Sequence, residues 1–210
     1  MRLLVGLGNP GEEYARNRHN IGFMVIAEAV DRFRLGPPRA RFQGITNEGT
    51  IAGEKVLALR PTTYMNESGR AVGAAMRFFK LTPADIVVFH DEIDLAFGKV
   101  RVKVGGGSAG NNGIKSISAH VGPDYTRVRL GVGHPGERGE VHHHVLSDFG
   151  VEERKAVAPI IEAAAREIPL LLAGDDEGYM NKLALILKPP RNQSPRKPPE
   201  KPPDKDSSED

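Results

Sequence analysis

Apolar positions along this chain alternate between two periods. Leu3-Leu4-Val5, within residues 2–7, is an unbroken apolar run, the pattern of a buried strand. From Asn20 to Phe33, Ile21, Met24, Val25, Ala29 and Val30 return at helical spacing and predict a helix. Residues 41–52 and 54–60 read as two strands joined at Gly53-Glu54. Residues 68–80 read as a helix, and Asp85 to Phe89 as a short apolar strand ending in His90-Asp91-Glu92. Lys99 to Val104 alternates basic and apolar side chains, as a half-exposed strand does. A helix over Asn112–Ala119, a strand over Thr126–Val132 and helices over 151–166 and 175–187 complete the series.

That order predicts an α/β fold: a single domain with a mixed β-sheet sandwiched between helices. The apolar patterning stops at Lys188. Residues 189–210 hold seven of the sixteen prolines and almost nothing apolar, so they cannot bury enough surface to offset their ordering entropy. The expectation is one domain over 1–188 and a disordered tail over 189–210.

In open α/β sheets, ligands gather beyond the carboxyl ends of the strands. Those ends are Gly8–Gly11, Pro61–Asn66, His90–Asp94 and Gly105–Gly113. Two of them carry familiar motifs. Gly6-Leu7-Gly8-Asn9-Pro10-Gly11 fits the G-x-G-x-x-G spacing of dinucleotide-binding loops. Such a loop must open directly into a helix whose N-terminus meets the pyrophosphate. Here Glu12 and Glu13 follow, and the helical pattern starts only near His19, so Asn9-Pro10-Gly11 reads as a turn. Gly106-Gly107-Ser108-Ala109-Gly110 matches the nucleophile elbow, yet it sits in a loop far too glycine-rich to hold a serine at one strained apex. The triplet His142-His143-His144, if extended, would put at most two imidazoles on one face, and it reads as surface histidine rather than a metal site.

Charge adds one point. The net charge is only +2, but between Ala96 and Glu140 seven basic residues face three acidic ones, an excess that suits an anionic partner. The chain has no cysteine, which excludes disulfides and thiolate chemistry and fits a reducing compartment. No apolar stretch approaches membrane-spanning length, so a cytoplasmic protein with no membrane partner is expected.

What remains at the strand ends is a set of carboxamides, Asn9, Asn66 and Asn112, with His19 and Asp91. A carboxamide donates and accepts without charge, and suits a peptide group or a developing oxyanion. An aspartate bonded to one imidazole nitrogen leaves the other free to act as a base toward water.

GLGNPGEEYARNRHNIG, PTTYMNESGRAV, HDEIDLAFGKVRVKVGGGSAGNNGIKSI and RVRLGVGHPG occur in this order over residues 6–136. Together they closely resemble the bacterial-type peptidyl-tRNA hydrolase family. The resemblance implies hydrolysis of the ester between a peptide and the 3′ ribose of tRNA, with no cofactor and no metal, by a protein that engages the acceptor stem and 3′ end of peptidyl-tRNA; a monomer is the default expectation. It implies His19 as general base and Asp91 as its orienting partner. Asn9 would help to distinguish a blocked substrate from a free aminoacyl one. Tyr14, Tyr64, Asn66 and Asn112 match positions that contact the 3′ end and the peptide, Lys103 and Arg129 match a pair that clamps the 5′ phosphate, and Arg138 matches a further basic contact. Two departures stand out: Asn111, where the family often has histidine, and His142–His144, which replaces a more apolar strand. Neither is expected to touch the chemistry directly. Some relatives of this fold bind RNA without hydrolysing it, so an RNA-binding module is the alternative.

Overall fold

The computed structural model describes residues 1–136 and 140–187. Arg138 and the 189–210 segment lie outside the described residues.

Seven strands form one mixed sheet: β1 (Arg2–Gly6), β2 (Arg39–Arg41), β3 (Gly44–Ile51), β4 (Glu54–Pro61), β5 (Ile86–Glu92), β6 (Val100–Val104) and β7 (Thr126–Gly131), in the order β2-β3-β4-β1-β5-β7-β6. The centre is parallel, β4-β1-β5-β7, and the outer pairings β2-β3, β3-β4 and β6-β7 are antiparallel. The helices are α1 (Ile21–Arg32), α2 (Ser68–Phe79), α3 (Asn112–Val121), α4 (Val141–Val145), α5 (Val151–Arg166), α6 (Ile168–Leu172) and α7 (Asp176–Ile186).

Because side chains alternate across a strand, each central strand feeds two cores. Leu4, Val87, Phe89, Val128 and Leu130 pack with α1, α5, α6 and α7, while Leu3, Val5, Ile86 and Val88 pack with α2 and α3. The predicted α/β sandwich is therefore the observed one. Gly22 lets α1 lie directly on the sheet, since a Cβ there would strike the Phe89 carbonyl and the Leu7 backbone.

Three local differences have physical causes. The run 41–52 is broken by a hairpin turn at Phe42-Gln43, both at positive φ (54° and 53°), so β2 and β3 are separate strands. Phe-Gln lacks the Asn or Gly that marks such turns in a sequence. Next, β5 does not stop at Phe89. It runs through His90, Asp91 and Glu92, all three buried and paired in register with β7. Finally, His142–His144 is not extended: it lies in α4, so His142 and His144 point different ways.

Candidate active site

His19 sits in a single 3-10 turn, Arg18–Asn20, between β1 and α1. Its neighbours are anchors. The Arg18 guanidinium donates to the carbonyls of His144, Ser147 and Asp148 and pairs with Glu153 at 2.6 Å. Asn17 donates to the Asp148 carboxylate at 2.8 Å. Asn20 holds the first loop: its Oδ1 accepts from the Asn9 backbone N–H and its Nδ2 donates to the Asn9 carbonyl, both at 2.9 Å. With residues 17, 18 and 20 buried and tied down, the imidazole between them has one place to go.

That place is Asp91. Nδ1 of His19 lies 2.8 Å from Asp91 Oδ2, with side chains 12 % and 2 % exposed. Burial opposes the imidazolium, but the charge of Asp91 and its hydrogen bond outweigh it, and the His19 pKa lies above the ordinary histidine value. A carboxylate only accepts, so the neutral ring carries its proton on Nδ1 and keeps the Nε2 lone pair free.

Asn9 is buried, and its Oδ1 accepts from the backbone N–H of Met65 at 2.8 Å. Only its Nδ2 is left to offer, which makes Asn9 a donor. Met65 opens a 3-10 turn, Met65–Glu67, on which Asn66 is exposed and before which Tyr64 is 61 % exposed. Tyr14 is half-buried on another short turn, Glu12–Tyr14, five residues before His19.

A cavity of about 290 Å³ is lined by His19, Asp91, Glu92, Ile93, residues 109–112 of the glycine-rich loop, and Val141, His142 and Val145 of α4. Of the predicted residues, His19, Asp91 and Asn112 meet in it. Asn9 does not line it but is hydrogen-bonded to Asn20, the residue after His19, and to Met65, and Asn66, Tyr14 and Tyr64 are not among the lining residues. A larger cleft of about 530 Å³, between the β6 edge, α5 and α7, carries no imidazole, carboxylate or hydroxyl.

Both departures noted in the sequence do touch this site. Asn111 caps α3, its Oδ1 accepting from Gly113 and Ile114 at 3.0 and 3.1 Å, and its Nδ2 donates to Asp91 Oδ1 at 3.0 Å. His142 lines the cavity from α4. An asparagine directly before a predicted helix is an N-cap signal that could have marked Asn111, but nothing in the sequence signals its bond to Asp91, twenty residues away. Among the described residues, no group of three or more His, Cys, Asp or Glu could hold a metal ion. The Ser108 loop is irregular, with positive φ at Gly105, Gly106, Ala109 and Gly110, and Ser108 does not line the cavity.

On the sheet, Arg101, Lys103, Arg127 and Arg129 share one face of β6-β7, with Arg101 opposite Arg129 and Lys103 opposite Arg127. They are not alike. Arg127 is buried, donates to the Gly107 carbonyl at 2.7 Å and stacks over Tyr125, so it is a structural strut. Arg129 gives its Nε to Glu92 at 2.9 Å, and its terminal nitrogens make no hydrogen bond among the described residues. Lys103 is exposed and lies along Gly106. The basic excess counted from the sequence is thus partly internal.

A peptidyl-tRNA hydrolase family model matches residues 3–193. The chain belongs to the peptidyl-tRNA hydrolase family. It is 61 % identical over 197 residues to the peptidyl-tRNA hydrolase of Parvibaculum lavamentivorans, covering 93 % of this chain and 96 % of that one. To the peptidyl-tRNA hydrolase of Bradyrhizobium diazoefficiens it is 56 % identical over 188 residues, covering 90 % and 94 %. The crystal structure of peptidyl-tRNA hydrolase from Acinetobacter baumannii superimposes with a TM-score of 0.82 at 39 % identity, covering 87 % of this chain and 94 % of that chain.

Proposed function

We propose that this member of the peptidyl-tRNA hydrolase family cleaves the ester of peptidyl-tRNA by direct attack of water, with His19 as the general base. The observation that carries this reading is the 2.8 Å contact between His19 Nδ1 and Asp91, beside a cavity that Asn112 also lines. Asp91 holds the ring so that Nε2 faces the water. The water oxygen bonds to the ester carbonyl carbon as its proton passes to Nε2. The tetrahedral oxyanion then collapses, and the ribose 3′ oxygen leaves with the proton returned from the imidazolium. Neutral carboxamide donors suit the oxyanion, Asn112 from α3 and Asn9 through Nδ2.

Asn9, with its acceptor oxygen already taken by Met65, would read the carbonyl that a blocked amino group brings and a free one lacks. Tyr14, Tyr64 and Asn66 on the flanking turns would contact the 3′ end and the peptide. Lys103 and the terminal nitrogens of Arg129 would hold the 5′ phosphate of the acceptor stem, with Arg138 as a further contact. No helix among the described residues is long and apolar enough to cross a membrane. The reading completes as a monomer acting in the cytoplasm, with residues 1–188 as the catalytic domain and the 189–210 segment dispensable for hydrolysis.

The test is incubation of the purified protein with an N-blocked aminoacyl-tRNA and its unblocked counterpart. Release of free tRNA from the blocked substrate alone is expected. Binding of both without release would replace the hydrolase reading with RNA binding. A chain ending at Lys188 is expected to keep its fold and most of its activity.

A further inference from the structure

We propose that Asn111 is a positioning residue for this hydrolysis, holding the Asp91 carboxylate in the orientation that serves His19. The proposal rests on His19 acting as the base. A carboxylate turns easily about its last bond, because that torsion has a broad, soft profile. Asp91 has a partner on each oxygen: His19 on Oδ2 at 2.8 Å and the Asn111 amide on Oδ1 at 3.0 Å. Two partners on different oxygens fix the plane of the carboxylate, and with it the direction of the imidazole. One partner would leave the pair free to pivot.

Asn111 is itself immobilised. Its Oδ1 accepts from two backbone N–H groups in the first turn of α3, and a second contact of Nδ2 reaches the Asp91 carbonyl at 3.4 Å. A side chain that spends its oxygen on a helix terminus has only its amide nitrogen left, and that nitrogen points at the carboxylate. The next residue, Asn112, lines the cavity. The helix end that would meet the substrate is thereby bolted to the carboxylate that orients the base. Asparagine does not titrate, so the link holds throughout the working pH range of His19.

Helix capping and carboxylate positioning are separable. Serine and aspartate both cap helices well, but neither can donate an amide to Asp91. Asn111→Ser is expected to keep the thermal midpoint while lowering kcat about 10- to 100-fold, the scale on which a small loss of alignment acts, with KM within about two-fold. Asn111→Asp keeps the cap and puts a second carboxylate against the first. It is expected to lower kcat at least as far and to move the acid limb of the pH–rate profile to higher pH. The other titratable groups around the cavity are Glu92, paired with Arg129, and His142 on α4. Both are unchanged in these variants, so a shift belongs to position 111.

The imidazole nitrogen resonances of His19, followed by NMR in the free protein, give a readout that does not depend on turnover. Asn111→Asp should raise the His19 titration midpoint. Wild-type kcat in Asn111→Ser, together with an unmoved midpoint in Asn111→Asp, would overturn the proposal and leave Asn111 as a helix cap. If instead His19→Ala retained full activity, the base assignment would have failed.

Discussion

Two imidazoles sit at hydrogen-bond distance from Asp91, one on each face of β5, and their pKa values move in opposite directions. On the cleft face, His19 Nδ1 meets the carboxylate at 2.8 Å; on the other face, His90 Nδ1 meets the Asp91 carbonyl, also at 2.8 Å. Burial is the largest influence on both and disfavours the cation in both. For His19 the carboxylate overcomes it and the pKa rises. For His90 burial prevails, helped by the charge of Arg127, and the pKa falls. A full charge at contact outweighs burial here, whereas a carbonyl dipole with more distant carboxylates does not. The same contrast separates the carboxylates of successive residues. Asp91 faces a partner that can lose its proton near neutrality, while Glu92 faces Arg129, which cannot. One face is built for proton transfer and the other for holding shape.

The sharpest way to break this comparison is His19→Ala. If the cleft face alone does chemistry, kcat should fall by about 10² to 10⁴, the usual contribution of a positioned base, with the fold intact by circular dichroism. Turnover close to wild type would show that the base lies elsewhere. In the unmodified protein, activity should decline as pH drops through a value above about 6.5, because the base is lost once His19 is protonated. The effect on stability has the opposite sense. A raised folded-state pKa favours the protonated ring, so this contribution is complete below about 6.5 and disappears as pH rises through the folded value.

Asp91→Asn should cost less than His19→Ala, since the imidazole stays. It should also move the acid limb downward, because burial would then act on His19 without the carboxylate to oppose it. A pH–rate profile with an unmoved limb would contradict the pairing.

Arg129→Ala tests whether the shape-holding face also binds. It should raise KM for tRNA substrates and reduce the salt-dependence slope by about one if one phosphate contact is lost. It also strands a buried Glu92, at a cost of up to about 3–5 kcal/mol. Adding Glu92→Gln should restore the thermal midpoint and leave KM high. Recovery of both would make Arg129 purely structural. Lys103→Ala, on an exposed side chain, should raise KM alone.

His90→Asn is the mildest change, costing about 1–3 kcal/mol while keeping a donor near the Asp91 carbonyl. A depressed folded-state pKa stabilises the fold above about 6.5 and is lost as pH falls through the folded value. The variant should therefore lose less stability than wild type between neutral and acid pH, as urea denaturation at two pH values would measure. An identical acid loss would mean that His90 is not the group being charged.

Most of the fold was legible because strand and helix periods are strong along Leu3–Val5, α1 and α2. The break at Phe42-Gln43 was not, because the usual turn residues are absent and the strain is carried by two ordinary side chains at positive φ. The extension of β5 was hidden for a different reason. His90, Asp91 and Glu92 read as the polar end of a strand, and only tertiary partners make their burial tolerable. His19 and Asp91 could be paired from chemistry and resemblance. The supports of the site, Arg18, Asn20 and Asn111, could not, because their partners lie 11 to 135 residues away in sequence. Arg127 and Arg129 look alike in the string RVRL, yet one is internal and the other half-open.

The strand order β5-β7-β6 has a consequence for how the chain is made. β7 inserts between two strands that precede it, so among the described residues β6 has no other sheet neighbour. Until residues 126–131 emerge during synthesis, one edge of β5 stands open beside Asp91, with unpaired backbone groups that could template pairing with another chain. Arg127, which pins Gly107, arrives on that same strand. The nascent protein thus carries His19 and Asp91 well before it can secure the loop around them, and the cleft is completed only when α4, translated after the last strand, brings Val141, His142 and Val145 to it.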